Sequence, residues 1–272
     1  MDNRRHIHHT ARHFGFSYPT SLWQRAHSAF APLLAVILLF IVLRLLAVFP
    51  IVPGQVSLDT IGQALLSTLF RLLIAYLLAL VCAVPLALLV NKSPLMERIL
   101  LPVYDIAQSI PVLAFFPVVI AFFIRFGEVQ GAAIFIIFLS MLWNIVFSLV
   151  GGLKVIPADI KDAAQVFGIR GKEYLGRILI PATVPYLVTG SLLAWAQGWN
   201  IIIVAEVLHT YIPGGTAAQD VFGIGSVLVN AASSGSNTIF IAAILVMVGA
   251  IALLNFFVWQ KLLRFAERFK FE

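Results

Sequence analysis

Six apolar runs, each about as long as a membrane-spanning helix, limit what this chain can fold into. A spanning helix needs about 20 mostly apolar residues. The chain is 61% hydrophobic and 11% charged, whereas a soluble domain carries about a quarter charged residues. Such a chain cannot cover a globule with polar surface, which predicts an all-α integral membrane protein embedded in a lipid bilayer. The predicted spans are 30–49, 68–90, 101–124, 131–150, 183–207 and 238–258.

The basic residues divide the connections between these spans into two sets. All Lys and Arg except Arg44, Arg71 and Arg125 lie in four segments, which are residues 1–29, 91–100, 151–182 and 261–272. The positive-inside rule puts these segments in the cytoplasm. We therefore expect a cytoplasmic tail over 1–29, a transmembrane domain over 30–260 that includes the loop 151–182, and a second cytoplasmic tail over 261–272. The charges fall in short blocks between apolar runs, which disfavours nucleic acid as a partner.

Several segments depart from a simple spanning pattern. The third span contains three prolines, so we expect it to be broken and to face the interior of the bundle, where freed backbone groups find partners. The stretch 50–67 is too polar to span and reads as an outer loop leading into a short interfacial helix. The outer connection 208–237 is expected to dip into the bundle near residues 224–232. The first run has a cleaved signal sequence as its alternative, but no small-x-small site follows it.

The loop 151–182 carries an amphipathic helix. Ile160, Ala163, Ala164 and Phe167 follow Pro157 at helical spacing and form one apolar stripe. Gly168 is placed to end this helix, and a second short helix is predicted over about 172–179. The stripe is compatible with two interpretations. The helix could dock into a groove of a partner protein, or it could lie in the lipid headgroup region.

The residues of this loop resemble a known signature. They keep the spacing of the "EAA" motif found in permease subunits of binding-protein-dependent ABC importers, with Asp162 in place of Glu and Ile180 in place of Leu. This resemblance favours the docking reading. The matching residues are Asp162, Ala163, Ala164, Gly168, Ile178, Ile180 and Pro181. Further segments, at 105–111, 195–206 and 255–259, resemble the branch of that family that includes sulfonate, taurine, nitrate and bicarbonate importers.

The resemblance implies a type I ABC importer permease fold with a cytoplasmic coupling helix. It also implies ABC ATPase subunits that bind ATP and Mg, a second permease copy or related permease chain, an extracytoplasmic substrate-binding protein, and a small anionic solute. The location would be the inner membrane of a bacterium or archaeon. The ATPase-coupling residues would be Asp162, Ala163, Ala164, Phe167, Gly168, Ile178 and Pro181. The sequence holds no Gly-rich phosphate loop ending in Gly-Lys-Ser or Gly-Lys-Thr, so we expect no enzyme activity or cofactor in this chain. No metal site is expected either, because the histidines near the N-terminus lack partnered cysteines.

Polar residues inside the predicted spans are candidates for the translocation pathway, because such groups are costly in a membrane. Their alternative role is hydrogen bonding between helices. Arg71 is the strongest of three outer arginines as an attractor for an anion, whereas Arg44 and Arg125 fit snorkelling to headgroups. An ion-coupled secondary transporter and a membrane scaffold without transport are the rival functions. The candidates are Arg71, Gln108, Ser109, Asn144, Gln197, Asn200 and Glu206.

Overall fold

A computed structural model describes residues 58–212 and 214–269 of the chain, most of which lie in helices. Two of the longer helices are continuous with a π-helical turn. The turn Leu175–Leu179 directly precedes the helix that begins at Ile180, and the turn Asn255–Trp259 directly follows the helix that ends at Leu254. The helices are α1 Leu58–Asn91, α2 Pro94–Ser109, α3 Val112–Arg125, α4 Val129–Lys154, α5 Ala158–Val166, α6 Gly171–Tyr174, α7 Ile180–Glu206, α8 Ile224–Ser233, α9 Asn237–Leu254 and α10 Gln260–Ala266.

Five of the six predicted spans correspond to helices in the part of the chain that the structure describes. Four helical segments there are long and apolar enough to cross a membrane, and α2 with α3 forms a fifth as a bent pair. The predicted span 30–49 and the tail 1–29 lie outside the described residues. The four long segments are Asp59–Asn91, Val129–Lys154, Gly171–Glu206 and Asn237–Phe269.

The third predicted span is broken, as its prolines indicate. α2 and α3 meet at an angle of 81° across Ile110 and Pro111. Within this one chain the pair lies at the side of the bundle and not inside it, so the prediction that this span faces the interior of the bundle stays a prediction. Only Tyr104 in α2, with Phe116 and Ile120 in α3, is buried. The pair packs along one side only, α2 against α1 and α3 against α4, where further side chains such as Leu101 and Val119 are half-buried, and most of its remaining side chains are exposed.

Two boundaries differ from the sequence prediction for one reason, which is that amphipathic turns extend a spanning helix beyond its apolar run. The expected interfacial segment near 58–67 is the continuous start of α1, with Ile61 and Ala64 buried and Asp59 and Gln63 exposed. The second loop helix, predicted over 172–179, is also continuous with the following span, from Gly171 to Glu206.

Small residues allow the three central helices to pack closely. α1 presents buried alanines to α4, at Ala75, Ala79, Ala83 and Ala87. On α7, a Cβ at Gly190 would lie 2.6 Å from Ser148 of α4, and a Cβ at Gly198 would overlap Met141. Small residues at such interfaces are the usual means by which helices approach in membranes. α4 is accordingly the most buried helix, and α1 and α7 are held on either side of it.

The connection after α7 returns to the bundle, as predicted. Residues 207–223 lead into α8, which packs against α1, α7 and α9. Ile224 and Leu228 of α8 are buried together with Ile61 of α1 and Ala243 of α9. The first turn of α8 is thereby brought to the end of α7 and to the third turn of α1.

Candidate functional site

A buried ion pair joins α1 to the end of α7. Arg71 is 3% exposed, Glu206 is fully buried, and Nη1 of Arg71 pairs with Oε1 of Glu206. The other two nitrogens of the Arg71 guanidinium group also donate hydrogen bonds. Nε donates to Oε1 of Gln130 at 3.2 Å, and Nη2 donates to the carbonyl of Phe222 at 3.1 Å. A charge inside a membrane protein needs such partners. We call Thr68, Arg71, Gln130 and Glu206 the charged cluster.

The same cluster holds the first turn of α8. Oε2 of Glu206 accepts the N–H of Gly225 at 2.6 Å. The Thr68 hydroxyl donates to Oε1 of Glu206 at 2.6 Å and accepts the N–H of Ile224 at 2.9 Å. The first N–H groups of a helix have no partner within the helix, and a negative charge is favourable at that end. Glu206 and Thr68 therefore act as a cap supplied by two other helices.

Two glycines make room for this cap. A Cβ at Gly223 would overlap the Glu206 carboxylate, and a Cβ at Gly225 would lie 2.8 Å from the Cα of Ile203. Neither position needs an unusual backbone conformation, so the requirement is space alone. Sequence reasoning missed both glycines, as well as Thr68 and Gln130. A signal was available for Thr68, because it lies three residues before Arg71 and so shares its helical face.

The helix α5 follows the C-terminal end of α4, whereas Gln130 of the charged cluster lies at the N-terminal end. The C-terminus of α5 is closed as predicted, with Gly168 at φ +70°. The N–H of Ile169 bonds to the carbonyl of Ala164 at 2.9 Å and that of Gly168 to Gln165 at 3.1 Å, which is a Schellman motif. A second left-handed glycine, Gly171, completes the turn into α6. The loop therefore consists of two helices meeting at a glycine turn.

The apolar stripe of α5 is split between the protein and its surroundings. Ala164 is buried and Ile160 packs against the core, whereas Phe167 is 79% exposed. Val166, which the stripe did not include, is 83% exposed. We call Val166 and Phe167 the α5 tip. Asp162, Ala163 and Gly168 are also exposed, so one side of α5 has no partner among the described residues.

The remaining signature residues lie in the helix that follows. Ile178 belongs to the π-helical turn Leu175–Leu179, and Pro181 is the second residue of α7. Proline lacks an N–H and its ring crowds the carbonyl four residues earlier, so a wide turn before Pro181 is a local adjustment to it. The helix runs unbroken from this turn to Glu206, which connects the loop mechanically to the charged cluster.

The other pathway candidates do not form one cluster. Gln108 donates to Asp105 at 2.9 Å and Ser109 donates to the Asp105 carbonyl at 2.7 Å, both next to the bend. Asn144 donates to the carbonyl of Ser140 at 3.2 Å. Gln197 and Asn200 are exposed three residues apart on α7. The structure thus brings Arg71 and Glu206 together, whereas Gln197 and Asn200 lie on a face of α7 that the described residues leave exposed.

A groove of about 330 Å³ lies beside the bend between α2 and α3. Its lining is mostly aromatic and aliphatic, with Phe115, Phe135 and Trp143 around it, and Gln108 is its polar residue. The groove brings one predicted pathway residue next to the broken part of the span. Among the described residues, no group of three or more His, Cys, Asp or Glu could hold a metal ion.

Comparison with known proteins identifies relatives of this chain. Residues 75–263 match the family described as "binding-protein-dependent transport system inner membrane component". The nitrate import permease protein NrtB of Leptolyngbya laminosa is 36% identical over 169 residues, which cover 62% of this chain and 56% of that protein. The bicarbonate transport system permease protein CmpB of Synechocystis is 32% identical over 127 residues, covering 47% and 44%.

More distant proteins share parts of the sequence and the fold. The taurine transport system permease protein TauC of Escherichia coli is 26% identical over 124 residues, which cover 46% of this chain and 44% of that protein. The chain spans about half of the length of these curated relatives. A chain of the methionine ABC transporter MetNI, solved in inward-facing conformations, superposes with a TM-score of 0.65 at 17% identity, covering 77% of this chain and 97% of that one.

Proposed function

Since the chain belongs to the family of binding-protein-dependent transport system inner membrane components, we propose that it is the permease subunit of an ATP-driven importer for a small anion. The relatives named for nitrate and bicarbonate support an anionic solute, and the relative named for taurine is consistent with a solute that carries an anionic group, its sulfonate. The importer would alternate between inward-open and outward-open states. A soluble binding protein would deliver the solute from outside, and a second permease chain, identical or related, would complete the path.

The observation that carries this proposal is the exposed α5 tip. Val166 and Phe167 are apolar side chains that the described residues leave 83% and 79% exposed, at the end of a helix closed by a glycine turn. Exposed apolar groups mark sites of interaction with another protein or with a membrane, and the signature spacing through Pro181 favours a protein partner here. An ATPase subunit that receives α5 in a groove would pass its motion through Gly171–Glu206, a continuous helix, to the far side of the bundle. ATP and Mg would be bound by that subunit.

The proposed orientation follows from charge. The segments rich in Lys and Arg, including the loop that carries α5, would be cytoplasmic, and so would both termini. The connection 207–223 and α8 would then face the outside, where the binding protein docks. This arrangement puts the ATPase contact and the solute entrance at opposite ends of α7.

The pathway candidates enter the proposal with different roles. Gln197 and Asn200 are exposed amides on a spanning helix, and an amide in contact with lipid is costly. We therefore propose that they line the path together with Asn144, Gln108 and Ser109. Arg71 and Glu206 are bound to each other, and their charges largely compensate. Their proposed contribution is to fix α8 and the outer connection beside the path.

Cysteine cross-linking in intact cells tests the ATPase contact. Cys82 is the single cysteine in the sequence and is first replaced by alanine. Phe167→Cys should then cross-link to an ATPase subunit, because the side chain is exposed at the α5 tip. Ala217→Cys, exposed in the outer connection, is the matched control and should give no such product. Absence of any product from Phe167→Cys and Ala163→Cys would remove the basis of the proposal.

Uptake measurements separate the proposal from its rivals. A cell that expresses this chain together with the proposed ATPase subunit, the binding protein and any second permease chain should accumulate nitrate, bicarbonate or taurine. An inactivating change in the ATPase subunit should abolish that uptake. An ion-coupled secondary transporter would keep its uptake in the presence of that change, and a scaffold would show none in either case.

A further inference from the structure

We propose that the groove between α1, α4 and the π-helical turn before α7 binds one acyl chain of an anionic phospholipid. The groove measures about 250 Å³ and lies near the end of the bundle that carries α5. Its walls come from three helices that a single chain could contact at once. The lining residues are Val84, Ala87, Leu88, Leu149, Leu153, Leu175, Leu179, Ile180, Thr183, Val184 and Leu187.

The lining excludes a polar occupant. Thr183 is the one lining residue with a polar side chain, and its hydroxyl already donates within α7, at 3.0 Å from the carbonyls of Leu179 and Ile180. The groove therefore offers no free hydrogen-bond partner to water, to a peptide backbone or to a transported anion. Among the residues that the structure describes, no side chain fills this groove, and its apolar lining favours hydrocarbon, which the bilayer supplies as acyl chains.

Two lysines supply the preference for an anionic headgroup. Lys92 follows Leu88 by one helical turn at the end of α1, and Lys172 precedes Leu175 by about one turn. Both side chains are exposed, and neither forms an ion pair with a described residue. Nearby acidic side chains are engaged elsewhere, since Glu173 pairs with Arg177 and Glu97 pairs with Lys154. A basic residue at the membrane surface favours an anionic lipid about fivefold.

The location gives this lipid a place in the transport cycle. Leu175 and Leu179 belong to the helical turn that joins the α5 loop to α7. A chain lodged against them would stiffen the segment through which motion of the α5 tip reaches the charged cluster. This part of the inference, and the assignment of the lysines to the inner leaflet, rest on the proposed function; lipid binding itself does not.

The test uses the full chain, purified and returned to vesicles of phosphatidylglycerol mixed with phosphatidylcholine. A phosphatidylglycerol with a diazirine on its acyl chain is photoactivated, and the labelled peptides are mapped by mass spectrometry. Labels should concentrate on the lining residues of α1, α4 and the Leu175–Leu187 region. Native mass spectrometry of the same preparation should show one retained phosphatidylglycerol per chain in preference to phosphatidylcholine.

Matched variants decide between a specific site and ordinary lipid contact. Val84→Trp fills the mouth of the groove and should remove the concentrated labelling, whereas Val118→Trp on exposed α3 should not. Replacing Lys92 and Lys172 by Gln should lower the phosphatidylglycerol preference by more than tenfold, whereas Lys261→Gln should leave it unchanged.

Uniform labelling of all exposed helices, labelling that survives Val84→Trp, or a preference that survives both lysine changes would each overturn the lipid site. The Phe167→Cys cross-link reports separately on the proposed function. A positive cross-link combined with unselective lipid binding would therefore contradict the lipid inference alone. Selective lipid binding without a cross-link would contradict the proposed function alone.

Discussion

The charged cluster lies at the end of the helix Gly171–Glu206 and the α5 tip lies just before its start, and the two regions are built in opposite ways. In the cluster, Thr68, Arg71 and Glu206 are buried, and their polar atoms bond to one another, to the exposed Gln130 and to backbone groups of the chain. At the α5 tip, two apolar side chains are exposed and are left largely uncovered by the residues that the structure describes. Buried charges are costly unless they are paired, as they are in the charged cluster. Exposed apolar side chains are unfavourable in water unless they are covered, as association with another protein would cover those of the α5 tip.

This difference separates residues that the chain needs in order to fold from residues that it needs in order to work with another protein. A change in the charged cluster should lower the stability of the isolated chain, because the cost falls on contacts made within it. A change at the α5 tip should leave that stability unchanged and weaken the complex with the ATPase. Measuring both quantities for the same variants tests the comparison directly.

The largest effect is expected for Glu206→Ala. The substitution leaves the Arg71 guanidinium buried without its counter-charge and removes the cap of α8, at a cost of about 3–5 kcal/mol. The purified chain should unfold at a markedly lower temperature in detergent, or fail to accumulate in the membrane.

A double variant controls for the loss of volume. Glu206→Leu combined with Arg71→Met removes both charges, so it should be more stable than either single change. Additive losses in the double variant would show that the two charges do not depend on each other, and would contradict the role given to the pair.

Gly223→Ala should destabilise the cluster by about 1–3 kcal/mol, because the added methyl group overlaps the Glu206 carboxylate and the structure must shift to admit it. Gly249→Ala in α9 is the matched control, since open space surrounds that position. Thermal unfolding of the two variants side by side provides the measurement. Equal unfolding temperatures would mean that the end of α7 and the start of α8 are not held as closely as the structure has them.

Local patterns predicted much of the helical framework. Apolar run length located five spans that the structure describes as helices, the three prolines of the third span indicated that it is broken, and Gly168 marked the end of α5. Each of these features depends on residues adjacent in sequence. Prediction failed at the start of α1, where the first turns are helical but half polar, so hydropathy alone began the span at residue 68 and not at Leu58.

The charged cluster could not be assembled from the sequence. Arg71 and Glu206 were each singled out as polar groups in spans, but 135 positions separate them and no periodicity connects them. Gln130 comes from the first turn of α4, and Phe222 comes from the connection that precedes α8. Their meeting depends on how α1, α4 and α7 pack, and that packing is set by small residues whose contacts are visible only in three dimensions.

Phe167→Ala tests the other half of the comparison. Loss of an apolar anchor from the centre of an interface costs about 1–2 kcal/mol of binding free energy. We expect the purified chain to unfold at the unchanged temperature, while its affinity for the ATPase subunit falls by about tenfold and uptake falls with it. Phe122→Ala, at an exposed position on α3, should change neither quantity. A drop in the stability of the isolated chain would show that the α5 tip packs within it.

The smallest effect is expected at Lys154, whose ammonium group lies 2.6 Å from the Glu97 carboxylate. This pair has the same chemistry as Arg71 and Glu206, but its side chains are 46% and 43% exposed. Water solvates both charges when they separate, so Lys154→Ala should cost less than about 1 kcal/mol, and salt should reduce even that. Comparison of its unfolding temperature with that of Glu206→Ala isolates the contribution of burial. If the two variants were equally damaging, burial would not be what makes the charged cluster essential, and the contrast between the two ends of the molecule would fail.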